Sequence, residues 1–362
     1  MTIQNSNYGG LRVAFVYDPR SYYIELGHPE RECAELADDT AIIGVSATLE
    51  QLGHEVIHVP GIKSLVQELA AGNQKDWDVV FNFAEGLYGL AREAQVPGLL
   101  EAYQVPFTFA DGATQALCMD KGKTKIVLGH YGIPTAPFFV VPSHGEKVDY
   151  STVTDLLPYP LFVKPIAASA SNGISEVNKI YRREDIETII ESLRSEYKSQ
   201  EILVETFLSG RESTVGILGT GSSARAIGAS EIKLDNLSDP CHVDFATKNS
   251  KLCERVLPSY INDGPADIDA PTDMDHPADM EDPQVKEACD VALKSWRILK
   301  CRDVGRVDVR FDSKGERSIA HVNPISGITP GYSLLPMIAE RNGISYPELL
   351  ADILCSALKR KI

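Results

Sequence analysis

The chain has 362 residues, 43% of them hydrophobic and 24% charged, a mix that excludes disordered, collagen-like and low-complexity classes for the chain as a whole. Its 51 acidic residues outnumber 35 Lys and Arg, and a net charge of −16 argues against general nucleic-acid binding, which needs clustered cations for the phosphates. No apolar run approaches the ~20 residues of a membrane helix. The start MTIQNSNYGG lacks the basic-then-apolar pattern of a signal peptide. Seven scattered cysteines without a CxxC suit a reducing cytoplasm better than a disulfide framework or a zinc site. At roughly 100–200 residues per domain, two or three domains are expected.

In chain order, LRVAFVY (11–17) reads as a strand and 38–52 as an amphipathic helix. Ile42, Ile43, Val45, Ala47 and Leu49 are expected on one stripe of that helix, and Gly53 stands where a C-cap belongs. HEVIHV (54–59) is a second strand, 64–71 a short helix, and DVVFNF (78–83) a third strand whose continuous apolar character predicts burial on both faces. Alternation of strands and helices over the first ~110 residues predicts an open α/β sheet, which binds ligands beyond the carboxyl ends of its strands. A lysine-rich helix follows at 120–131, then strands at 138–141, 161–163 and 202–205 with a helix at 183–197. The third part carries strands at 213–217, 225–229, 305–311 and 318–322, a helix at 284–300 and a last helix at 346–358. The acidic, proline-rich stretch 263–282 reads as an exposed loop. The predicted class is α/β with α+β parts, divided at 1–118, 119–211 and 212–362, with a mobile loop near 235–283.

Three segments carry chemistry. In FVKP (162–165) a lysine ends a strand before the small residues 166–174, whose backbone N–H groups can turn around an anion. In VETFLSGRE (204–212), Glu205 and Glu212 are candidate acceptors for an adenine amino group and ribose hydroxyls, with peptide groups near Phe207 and Leu208 for the ring edge. In GRVDVRFD (305–312) and AHVNPISG (320–327), adjacent strands would bring Asp308, His321 and Asn323 together, an oxygen-rich cluster suited to Mg²⁺ on phosphate. Arg306 shares the face of Asp308 and could touch a transferring phosphoryl group.

Taken together with VFNFAEG (80–86), REAQVP (92–97), MDKGKTK (119–125), LSGRE (208–212) and NPISGITP (323–330), these segments resemble the D-alanine–D-alanine ligase branch of the ATP-grasp enzymes. The resemblance implies three domains, the first Rossmann-like, with ATP held between two antiparallel sheets. It implies an ADP-forming reaction in which ATP, with Mg²⁺ or Mn²⁺, phosphorylates a carboxylate that an amine then attacks. Lys121, Lys164 and Ser171 match phosphate-holding positions, and Glu205, Phe207, Leu208 and Glu212 match adenosine contacts. Arg306 matches the arginine that stabilises the phosphoryl and tetrahedral intermediates. Asp308, His321 and Asn323 fall at metal-ligand positions, and Gly327, Ser333 and Leu334 in the second-substrate region. Lys248 matches the lysine of a closing loop, and Glu35 the acid that receives the first substrate's amino group. The family acts on small molecules and often forms homodimers.

Four departures stand out. His321 replaces a metal-bridging glutamate, Ala170 a serine of the first-substrate pocket, and Asn249 that serine's tyrosine partner; VYDP (16–19) replaces a glycine-rich signature. They imply a ligase with an altered donor, such as the vinylogous carboxylate of mycosporine-glycine. A cell-wall D-alanine–D-alanine ligase and a non-catalytic ATP-binding protein stay open beside it.

Overall fold

The computed structural model describes residues 10–169, 173–232 and 275–360. The N-terminal part is a parallel sheet of β1 (Arg12–Tyr17), β2 (Glu55–Pro60) and β3 (Val79–Phe83) in the order β2-β1-β3. Side chains alternate along a strand, and β1 uses both faces. Val13, Phe15 and Tyr17 pack with α2 (Asp39–Gln51), whereas Ala14 and Val16 pack with α3 (Gly61–Ala71) and α4 (Gln95–Ala102). All five residues of β3 are buried, as its apolar run predicts.

Helix α2 starts at the Asp38 cap, whose carboxylate accepts from Ala41 N at 2.7 Å, and ends before Gly53, which adopts φ +88°. Its buried face differs from the expected stripe. Ala41, Val45, Thr48 and Leu49 are buried, whereas Ile43 is 68% exposed and Ala47 also faces solvent. At about 100° per residue, positions 43 and 47 fall on the opposite side of the helix from 41, 45 and 49. Short helices at α1 (Arg20–Glu25) and α5 (Gly112–Met119), with α4, were not legible as periodic patterns.

The central part is an antiparallel sheet of β4 (Phe138–Val141), β5 (Leu161–Pro165), β6 (Lys179–Ile180) and β7 (Ile202–Thr206), ordered β4-β7-β5-β6. One face packs on α7 (Tyr150–Leu156) and α8 (Ile186–Glu196) through Val141, Leu161, Val163, Ile190 and Val204. The other faces α6 (Lys121–His130), where Gly122 lies so near Val140 and Ile166 that a Cβ would come within 3.1 Å of both. The third part is an antiparallel sheet of β8 (Glu212–Leu218), β9 (Arg225–Ile232), β10 (Asp275–Pro277), β11 (Val304–Phe311) and β12 (Arg317–Asn323), ordered β10-β9-β8-β11-β12. Helix α9 (Pro283–Ile298) buries Val285, Ala288, Ala292 and Trp296 against it.

The stretch read as an exposed loop at 263–282 is corrected in its described portion. Residues 275–277 pair with β9 as an edge strand, and Asp282 caps α9 while bonding Arg211 at 2.7 Å. Helices α10 (Leu334–Arg341) and α11 (Tyr346–Lys359) close the chain and share a core with β1, α2 and β3. Among the described residues no helix is long and apolar enough to cross a membrane.

Candidate active site

Strand β11 presents two unlike faces. Val307, Val309 and Phe311 enter the core, while Arg306, Asp308 and Arg310 alternate with them and line the cleft. The β11–β12 register sets Arg306 opposite Asn323 and Asp308 opposite His321. Asp308 Oδ1 accepts from the Thr214 hydroxyl at 2.8 Å, and Oδ2 lies 3.8 Å from His321 Nδ1. Burial alone would push the Asp308 carboxyl up, but Arg306, His321 and Thr214 outweigh it and hold it below the usual range. Burial brings His321 down to about 4, with Lys121 and Arg306 acting the same way against Asp308. The imidazole is therefore neutral near pH 7 and does not repel a cation. Arg306 Nε is buried with no hydrogen-bond partner among the described residues.

Opposite this face, Lys121 from the start of α6 lines one small pocket together with His321. Lys121 Nζ donates to the Ala168 carbonyl at 2.5 Å. Burial and the Lys164 charge bring it down to about 7, so an anion placed beside it would favour its charged form. Lys164, at the end of β5, lies 2.6 Å from Glu205 Oε1. Glu205 is thus not the free adenine acceptor that its spacing suggested, since Lys125 Nζ also stands 2.7 Å from its Oε2. Burial would raise Glu205, but the two lysines bring it down to about 2.

Phe207 packs with Phe162 and Ile174 in a small apolar slot, flanked by Lys179 at 4.1 Å and Arg310 at 4.8 Å from its ring centroid. A flat aromatic base would suit such a slot. The expected backbone contact at Phe207 is corrected in one respect: its N–H already donates to the Pro160 carbonyl at 2.9 Å. Leu208 is buried beside it. Glu212 opens β8 and lies 3.4 Å from Arg310 on the adjacent strand.

A third group joins the N-terminal and central parts. Glu35 pairs closely with Arg92, and its other oxygen accepts from Ser169 N at 2.7 Å. Arg92 also donates to the Ala167 carbonyl at 3.0 Å. Ala167 and Ser169 are thereby tied to the N-terminal part. Burial pushes Glu93 up to about 7 and raises Glu85 as well, with Glu35 acting the same way on both. Gly327 and Ser333 meet closely, as a Cβ on Gly327 would lie 2.9 Å from Ser333 Oγ. That hydroxyl accepts from Thr329 N at 3.0 Å, and Leu334 begins α10 next to it. Ser171, Lys248, Ala170 and Asn249 lie outside the described residues.

The residues fit a divalent ion that arrives with phosphates. Among the described residues no group of three or more His, Cys, Asp or Glu side chains forms a cage. Mg²⁺ needs none, because it keeps waters and takes one or two protein oxygens beside phosphate. An ionised Asp308 and Asn323 supply such oxygens.

Sequence reasoning missed Lys125, Arg92, Arg310 and Thr214. Lys125 carried a signal, since it follows Lys121 by four residues and so shares its helix face. The other three acquire partners only through sheet register and domain packing.

Known proteins agree with this architecture. The family model described as "D-ala D-ala ligase C-terminus" matches residues 127–355, more than half of the chain. The D-alanine–D-alanine ligase of Gluconobacter oxydans (strain 621H) is 31% identical over 336 residues, covering 91% of this chain and 96% of its own. That of Cupriavidus necator (strain H16) is 28% identical over 321 residues, covering 87% and 85%. The solved D-alanine–D-alanine ligase of Bacillus anthracis, complexed with ATP, superposes with a TM-score of 0.69 at 19% identity, covering 97% of this chain and 98% of that one. With the shared fold, the family match and the relatives' near-complete coverage, the chain belongs to the D-alanine–D-alanine ligase family of enzymes.

Proposed function

We propose that this chain is an ATP-dependent ligase that phosphorylates a substrate carboxylate and joins it to an amine, releasing ADP and phosphate, with small D-amino acids of the D-alanine kind as substrates. The observation that carries the reading is the approach of Lys121, at the start of helix α6 with the Lys164 charge beside it, to His321 in the β11–β12 cluster that also holds Arg306, Asp308 and Asn323. Lys121 and Lys164 neutralise phosphate charge, and Arg306, whose buried Nε has no partner among the described residues, stabilises the charge that develops on the transferring phosphoryl group and the tetrahedral intermediate. Mg²⁺, held by Asp308 and Asn323 beside a neutral His321, supplies further charge neutralisation on the phosphates. The Phe162–Phe207 slot receives the base, Glu212 the ribose, and the Gly327–Ser333–Leu334 segment the attacking amino acid. The names of the relatives favour a D-alanine pair over the mycosporine-type donor suggested by the sequence departures.

One observation favours a second reading, in which the donor is larger. Both Glu35 oxygens already accept, from Arg92 and the Ser169 N–H, and the paired guanidinium offsets the charge that the donor's amino group would meet. The deciding experiment is ADP release with D-alanine alone at saturating ATP and Mg²⁺, with product mass spectrometry. Turnover with D-alanyl-D-alanine formed supports the first reading. Turnover only with a bulkier acid plus an amino acid supports the second. ATP turnover with no acid–amine pair would remove the ligase reading.

A further inference from the structure

Three adjacent strands set Phe138, Glu205 and Phe162 in one cross-strand row, with Glu205 in the middle. Lys164 lies two residues beyond Phe162 and so on the same face. Helix α6 covers that face and adds Lys125. Two lysines thus share one carboxylate, all three side chains at least nine-tenths buried. The two lysines are not held alike. Lys125 is only 3% exposed, 5.5 Å above the Phe138 ring and 3.4 Å from the Ala136 carbonyl, on the side away from the small-residue segment. Lys164 is the last residue but one of its strand, which ends at Pro165 directly before that segment.

Removing the partner of a buried charge is strongly unfavourable, because the remaining ion is left without water or counterion. A carboxylate with two lysines escapes that penalty if one of them leaves. We infer that Lys125 is a positioning residue for the nucleotide, keeping Glu205 paired when Lys164 turns from Glu205 to a phosphate oxygen. The inference rests on the ATP reading above. Lys125 touches no phosphate; its effect passes through Glu205 and Lys164.

The test is a double-mutant cycle with Lys125→Met and Glu205→Gln, read as calorimetric affinity for the β,γ-methylene analogue of ATP with Mg²⁺. Lys125→Met should weaken binding about tenfold or more in the native background but less than about threefold beside Glu205→Gln, where no carboxylate can be stranded. Equal losses in both backgrounds, as a purely structural role would give, overturn the inference, and so does no loss in either. Lys125→Arg, which keeps the charge, should bind within about threefold of the native protein. A larger loss in that folded variant would also overturn it, even if Lys125→Met proved insoluble. Failure of the native protein to bind the analogue would instead strike the ATP reading itself, so the two failures are distinguishable.

Discussion

Lys164 stands at a strand end with its charge shared by a buried carboxylate, and its removal should separate catalysis from folding. Lys164→Ala should leave a folded protein, because Lys125 still pairs Glu205, while ADP formation falls by roughly 30- to 1000-fold, the cost of a lost transition-state charge contact of about 2–4 kcal/mol. Circular dichroism and coupled ADP release measure the two separately; unchanged turnover in a folded variant would refute the role. Glu205 sets a pH dependence of stability. Its carboxyl titrates at about 2 when folded, against 4.5 for the free group, so the unfolded chain binds the proton more readily. The stabilisation is therefore complete above pH ~4.5 and is lost as pH falls towards 2. Urea midpoints between pH 6 and pH 3 should fall more steeply in the native protein than in Glu205→Gln.

At the scale of elements, helix α2 approaches the segment between Gly327 and Ser333 at Pro330. A Cβ on Gly44 would meet Pro330 Cγ at 2.9 Å, so glycine here serves close approach rather than an unusual backbone angle. Gly44→Val should destabilise by about 1–3 kcal/mol, since overpacking at a tight contact outweighs the roughly 0.5 kcal/mol gained in helix propensity. A urea midpoint unchanged or raised would show that Pro330 can move aside. The edge strand β10 teaches a related point. A run of Asp and Pro gives no strand signal, yet Asp275–Pro277 pairs with Ser230–Ile232 because β9 offers it an open edge.

Across the whole molecule, Arg360, just after α11, ties Asp303 to the Phe107–Phe109 segment of the N-terminal part. Asp303 is fully buried, accepts from Phe109 N at 2.6 Å and pairs with Arg360, which also donates to the Phe107 carbonyl. Arg360→Met strands that carboxylate and should cost about 3–5 kcal/mol of unfolding free energy. Burial already pushes Asp303 up even with Arg360 beside it. Without the guanidinium it rises further, and the loss measured by urea unfolding should be smaller at pH 5 than at pH 8, because a protonated carboxyl needs no counterion. A loss independent of pH would mean that Arg360 acts through packing alone.

The sequence by itself determined the strands and long helices, because apolar periodicity and continuous apolar runs are local properties; β3 and α9 are buried as their patterns require. It also brought Arg306, Asp308, His321 and Asn323 to one face, since alternation along two neighbouring strands needs only a pairing partner. It did not determine which of several apolar helix residues point inward. Ile43 is apolar but exposed, because the partner of α2 covers only the arc around Ala41, Val45 and Leu49. Nor could it show that Glu205 is already held by two lysines, one from β5 and one from α6, or that Glu35 is held by Arg92 and the backbone of Ser169. Those pairings join residues 41 to 134 positions apart and arise only from sheet register, the packing of α6 on its sheet and the approach of the N-terminal and central parts. Spacing along the chain names the charges that a site contains; burial and the tertiary approach of counterions decide which of them are left to meet a ligand.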